Sequence, residues 1–249
     1  MTVPSAEGFD QWYADMGNSP ARDEIASRTL GLPPELESSS LLTWAGIADV
    51  TDALAVGAGD VLVDLACGRG GYGLEIAGRT GAALTGVDFS RVAIERASEK
   101  AAGRAEFRVG ELTATGLPDG FADAVLCVDA MQFADPYEDG IAECRRILKP
   151  GGRVVLTGWQ AHDPGDEVVP GRLRHDIGAA LRTAGFVDVR VTHMPAWLAA
   201  ERAHWAAAVA LDPSGDPALE AIRDEGLRVV EWLDRIRRVL AVGRAPASS

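Results

Sequence analysis

The sequence predicts an α/β fold: a doubly wound, seven-stranded and mostly parallel sheet with a helical N-terminal cap and a helical insertion before the last strand. Three observations predict it. From residue 61 onward, short continuous apolar runs alternate with helical stretches, as expected for parallel strands covered on both sides. A glycine-rich turn follows the first run directly and opens a helix. Finally, two helical stretches stand between the sixth and seventh apolar runs.

The elements follow in order. Phe9, Trp12, Tyr13 and Met16 fall at i, i+3, i+4 and i+7, the apolar stripe of a helix. Pro33-Pro34 interrupts the chain, Ser38 to Ser40 offer an N-cap, and Leu41–Leu54 reads as a second helix. The expected strands are Val61–Ala66, Ala83–Val87, Ala105–Val109, Ala124–Val128, Val154–Thr157, Val187–Thr192 and a closing strand Arg238–Val242. Helices are expected over Gly71–Arg79, Arg91–Ala101 and Tyr137–Leu148, the last stopped by Pro150-Gly151-Gly152. Leu173–Ala184, Pro195–Leu211 and Pro217–Trp232 complete the helical set. The organisation is one domain, 1–249: an N-terminal cap (1–55), a core (56–194), a helical substrate cap (195–232) and a closing strand with its tail (233–249).

Composition narrows the function. The chain has 249 residues, 37 acidic against 24 basic, and a net charge of −13, with no Lys/Arg run suited to a phosphate backbone. Nucleic acid is therefore not an expected partner. Cys67, Cys127 and Cys144 stand apart, without metal-ligand spacing, and read as reduced thiols of a cytoplasmic protein. The stretch MTVPSAEGFD lacks a basic segment leading into an apolar one, and no run approaches the ~20 apolar residues of a membrane span.

The chemistry concentrates at Val61-Leu62-Val63-Asp64-Leu65-Ala66-Cys67-Gly68-Arg69-Gly70-Gly71-Tyr72-Gly73, a strand, a glycine turn and a helix start. Gly68, Gly70 and Gly73 also spell GxGxxG, so a dinucleotide has to be weighed. Asp88 ends the second strand, at about the 20-residue separation at which an acid meets a ribose. Its other reading is an N-cap, a role that Ser90 fills better.

Together with Arg145-Arg146-Ile147-Leu148-Lys149-Pro150-Gly151-Gly152-Arg153, these segments resemble class I, Rossmann-like S-adenosylmethionine-dependent methyltransferases over about residues 55–160. The resemblance implies that Asp64, Ala66, Gly68 and Gly70 cradle the methionine end of the cofactor. It also implies that Asp88 binds the ribose with Phe89 beside the base, that Glu111 and Leu112 touch adenine, and that Asp129 faces cofactor and substrate. Ala66 stands where the family usually has its first glycine, which requires a negative φ there. Against a nicotinamide dinucleotide, Asp64 would repel a pyrophosphate but favour a ligand bearing an ammonium and a sulfonium. The expected function is methyl transfer from S-adenosylmethionine to a small molecule, a secondary metabolite, at an O, N or C atom. The alternatives are non-methylating chemistry in the same pocket and a non-catalytic cofactor-binding protein.

Proximity can supply most of the acceleration of methyl transfer, so a base is optional. His162, just past the fifth strand, is the first candidate base, with Tyr13 a second possible catalytic side chain and His193 next. His175 and His204 read as helical packing or surface residues. Trp44 and Trp159 are expected to wall the acceptor site. No Asp/Asn cluster at the ends of strands four and five suggests a metal, and none is expected. A homo-oligomer is compatible with this reading.

Overall fold

A computed structural model describes residues 6–17, 20–37 and 40–247. Residues 1–5 of the stretch bearing on targeting, the candidate caps Ser38 and Ser39, and the side chain of Met16 lie outside the described residues.

Seven strands form one sheet in the order β3-β2-β1-β4-β5-β7-β6. They are β1 (Val61–Leu65), β2 (Ala83–Asp88), β3 (Glu106–Val109), β4 (Ala122–Val128), β5 (Leu148–Ala161), β6 (Val187–His193) and β7 (Ile236–Arg244). All ladders are parallel except those of β7, which runs antiparallel between β5 and β6. The fully apolar runs become the central strands, buried almost throughout, while β3 and β6 form the exposed edges.

The helices are α1 (Ala6–Gly17), α2 (Pro20–Leu30), α3 (Trp44–Leu54), α4 (Gly71–Thr80), α5 (Arg91–Ala101), α6 (Tyr137–Ile147), α7 (Ile177–Thr183), α8 (Pro195–Val209) and α9 (Pro217–Val229). One side of the sheet packs on α3 and α4 through Ile47, Val50, Leu54 and Ile76, all but excluded from solvent. The other packs on α6 and α7 through Ile141, Cys144, Ile147 and Leu181. A third cluster joins α8 and α9, through Trp205, Ala208 and Ile222, to the segment after β5. The N-terminal helices meet this insertion: the Thr29 hydroxyl on α2 lies 2.8 Å from Nδ1 of His204 on α8.

Several expected boundaries shift, each for a local reason. α3 begins at Trp44, not Leu41, because Thr43 is the N-cap, its hydroxyl accepting from the Gly46 amide at 2.9 Å. Ser40 is drawn instead to Asp129. α7 begins at Ile177, capped by Asp176, so His175 lies in a loop and not in a helix as expected. Pro150-Gly151-Gly152 falls inside a long β5 as an irregularity of its ladder to β4, between the Leu148–Ala122 and Arg153–Ala124 pairs, with Gly151 at φ +80°. α2, with no regular apolar stripe to reveal it, is an addition to the expected set.

Candidate active site

Strand order reverses between β1 and β4, and ligands of an open α/β sheet gather outside the strand carboxyl ends at such a point. Leu65 pairs with both Val87 and Cys127, and Val128 with Thr157, so the loops after β1, β2, β4 and β5 emerge side by side.

The glycine turn is tied down by Asp88. Its Oδ2 accepts from the Gly68 amide and its Oδ1 from the Ser90 amide, both at 2.9 Å. A carboxylate has about four acceptor positions, so two remain for a pair of hydroxyls. Burial pushes the Asp88 carboxyl up from its ordinary range, and the two amides counter it. Asp64 lies buried beneath the same turn, its pKa pushed up to about 8 by desolvation first and by the Asp88 charge second, with the Gly73 amide pulling the other way.

Backbone geometry explains the glycines and corrects one expectation. Gly68 and Gly70 have φ of +52° and +77°, and a Cβ on Gly71 would stand 2.1 Å from the Leu36 carbonyl oxygen. Ala66 has φ +53°, not the negative value expected, so an L side chain occupies the left-handed region where a glycine would be at ease.

α1 lies over this loop cluster. The Phe9 ring is 5.1 Å from Phe89 and 5.8 Å from Phe133, and Asp10 accepts from the Ser90 hydroxyl. Tyr13, a candidate catalytic residue, is buried in this cluster against Ala93. Glu111 is exposed in a small bridge with Ala114, and Leu112 packs partly into the main core.

Asp129, with φ +55°, is fully engaged within the protein. It binds Arg238 Nη2 through both oxygens at 2.8 Å, accepts from the Thr157 hydroxyl at 2.7 Å, and also takes the Ser40 hydroxyl. Arg238 reaches on to Glu201 at 3.3 Å, and Glu201 accepts from the indole N–H groups of Trp159 and Trp205. Sequence reasoning missed Arg238 and Glu201. The available signal was an arginine at the head of an apolar strand.

Beside Thr157 and Trp159 the strand ends form a narrow, partly open recess, also lined by Gln132, Tyr137, Arg172 and His175. The His175 ring stacks on Tyr137, centroids 4.1 Å apart. His162 is exposed and is not among the recess residues; His193 is likewise exposed, and His204 is buried. Trp159 lines the recess; Trp44 does not, being 38% exposed and packed under the Arg79 guanidinium at 4.5 Å. Among the described residues, no three His, Cys, Asp or Glu side chains are arranged to hold a metal, and no helix is long and apolar enough to cross a membrane.

The strand order and the flanking helices are those of the Rossmann-like methyltransferase fold. Residues 63–156 match the family profile described as "Methyltransferase domain". The chain is 32% identical over 123 residues to sterol 24-C-methyltransferase ERG6B of Gibberella zeae, covering 47% of this chain and 32% of that protein. It is 29% identical over 177 residues to 2-methyl-6-phytyl-1,4-hydroquinone methyltransferase of Synechocystis, covering 66% of this chain and 53% of that protein. The chain thus spans about a third to a half of these relatives' lengths. Among solved structures, the phosphoethanolamine N-methyltransferase 2 of Haemonchus contortus superposes with a TM-score of 0.78 at 18% identity, over 99% of this chain and 60% of that one. At that identity the likeness speaks for the fold.

Proposed function

We propose that this protein transfers a methyl group from S-adenosylmethionine to a small-molecule acceptor. The observation that carries the reading is the pair of buried acids under one glycine turn: Asp64 beneath it, and Asp88 holding the Gly68 amide at 2.9 Å. Asp64, whose pKa is pushed up to about 8, can give up its proton against a cationic group but offers a pyrophosphate no countercharge, which suits a cationic nucleoside whose ribose can donate to Asp88. When bound, S-adenosylmethionine supplies an electrophilic methyl on a sulfonium.

In this reading the residues of the chain divide the work. Asp64, Ala66, Gly68 and Gly70 hold the amino-acid end of the cofactor, and Asp88 takes the ribose hydroxyls. Phe89, under the Phe9 ring, is placed to cover the base. Glu111 and Leu112 are at most peripheral, one exposed and the other turned partly into the core. Asp129 acts through the architecture, since Arg238, Thr157 and Ser40 already occupy it. Acceptor placement falls to the recess at the ends of β4 and β5, rather than to exposed His162 or packed Tyr13. Residues 1–55 and 195–232 act as cap segments of a single domain, a reading supported by the Thr29–His204 contact between them.

Titration calorimetry of the full chain with S-adenosylhomocysteine and with NAD tests this reading. Binding of the former alone is expected, with Asp88→Ala weakening it by about tenfold or more. Absence of S-adenosylhomocysteine binding would overturn the proposal.

A further inference from the structure

The recess beside Thr157 and Trp159 contains polar groups that the protein itself leaves unused. The Tyr137 hydroxyl is buried and has no hydrogen-bond partner, although its residue is only 5% exposed. The Nε of Arg172 is likewise buried and unpartnered. The Arg172 guanidinium lies 5.8 Å over the Phe133 ring, and no described carboxylate forms an ion pair with it. A half-buried arginine with no ion-pair partner among the described residues, acted on only by the more distant charge of Glu225, keeps donors free for another anion. Burial lowers the pKa of Arg172, and the Glu225 charge only partly offsets this.

The recess also adjoins the proposed cofactor site through aromatic rings. Phe133, beneath Arg172, is 5.8 Å from Phe9, which in turn is 5.1 Å from Phe89 next to Asp88. An occupant of the recess is therefore close to the loop cluster at the carboxyl ends of β1 and β4. Its walls are mixed: Met131, Leu156 and Ile177, themselves buried, line its apolar side, and the stacked His175 and Tyr137 rings its flat one.

We propose that this recess is the acceptor subsite and that it takes a small, flat carboxylic acid. The Arg172 guanidinium and the Tyr137 hydroxyl donate to the carboxylate, and the apolar body lies against Met131, Leu156 and Ile177. That the occupant is the methyl acceptor rests on the proposed methyltransferase reading; that it is an acid rests on the recess alone.

The test titrates the full chain with benzoate, 4-hydroxybenzoate and indole-3-carboxylate, each against its neutral methyl ester, with and without S-adenosylhomocysteine. At least one acid is expected to bind tenfold or more tightly than its ester. Arg172→Gln should abolish that preference and Arg172→Lys retain part of it, while S-adenosylhomocysteine affinity stays unchanged in both. Tyr137→Phe should weaken the acid severalfold and at the same time raise Tm, because it removes an unsatisfied buried hydroxyl; a merely structural tyrosine would not show that combination. No preference for any acid, or an equal preference in Arg172→Gln, overturns the proposal. If S-adenosylhomocysteine still binds in that case, the methyltransferase reading survives. An acid preference without S-adenosylhomocysteine binding has the opposite meaning: the recess assignment holds and the methyltransferase reading falls.

Discussion

Arg238 and Asp129 form a two-point ion pair in which one guanidinium nitrogen lies 2.8 Å from each carboxylate oxygen, and both side chains are sealed from solvent. The pair ties the end of β4 to the start of β7. Thr157 extends it to β5, Glu201 to α8 and Ser40 to the segment before α3. Five parts of the chain thus converge on one charge cluster beside the recess. Breaking such a cluster from one side leaves an uncompensated buried charge. Arg238→Met is therefore expected to cost about 3–5 kcal/mol in chemical denaturation. Removing Asp129 and Glu201 charge in the same variant, as Asn and Gln, should recover part of the loss. A single-variant loss below about 1 kcal/mol would show that the charges are hydrated.

Asp64 gives the protein a distinctive pH response. Its folded pKa is pushed up to about 8 from 3.8. Between those values the unfolded chain has lost the proton and the folded chain keeps it, so the folded state binds more protons and stability falls as pH rises. The slope from this group is at most about 1.4 kcal/mol per pH unit, and it vanishes above about pH 8. Asp64→Asn should flatten the slope in urea denaturation at a series of pH values. A positive charge placed near Asp64 lowers its pKa, so binding of S-adenosylmethionine, with its ammonium and sulfonium, at pH 7 should release a proton. Binding enthalpies in buffers of different ionisation enthalpy measure that release, and proton uptake would contradict the placement.

Two glycines of α4 should respond oppositely to the same substitution. A Cβ on Gly73 would lie 2.6 Å from Asp64 Oδ2, whereas a Cβ on exposed Gly78 meets nothing within 4 Å. Alanine in an open helical position gains about 1 kcal/mol over glycine. Gly78→Ala is expected to stabilise by about that amount. Gly73→Ala is expected to destabilise by about 1–3 kcal/mol through overpacking, and to weaken S-adenosylhomocysteine binding. Denaturation midpoints of the two variants make the comparison.

Ala66 holds φ +53°, a conformation costing an L residue about 1–2 kcal/mol. Glycine removes that strain but adds about 0.4–1 kcal/mol of unfolded-state entropy. Ala66→Gly should therefore stabilise by roughly 0.5–1 kcal/mol. A lower Tm would show that the alanine methyl makes compensating contacts.

Much of the fold was legible in the chain because its signals are local. Continuous apolar runs fixed the central strands, and the glycine turn and Ser90 mark helix starts through short-range geometry that the structure reproduces. The placing of Asp64 and Asp88 beside one glycine turn follows from the same logic, since both sit at strand ends. Local signals also misled. Ser40 has the chemistry of an N-cap, yet a carboxylate 89 positions away takes its hydroxyl and leaves Thr43 to cap α3.

What the tertiary structure alone decided is the lining of the recess proposed to take the acceptor. The sequence favours His162 over His175, but only the second is turned against Tyr137 and into the recess. Arg238 and Glu201 look like ordinary surface charges until β7 and α8 bring them to Asp129. Periodicity records which residues avoid water within one element, a property of neighbours along the chain. Ion pairing and recess lining depend on residues far apart in sequence, and they exist only once the sheet has set its strand order.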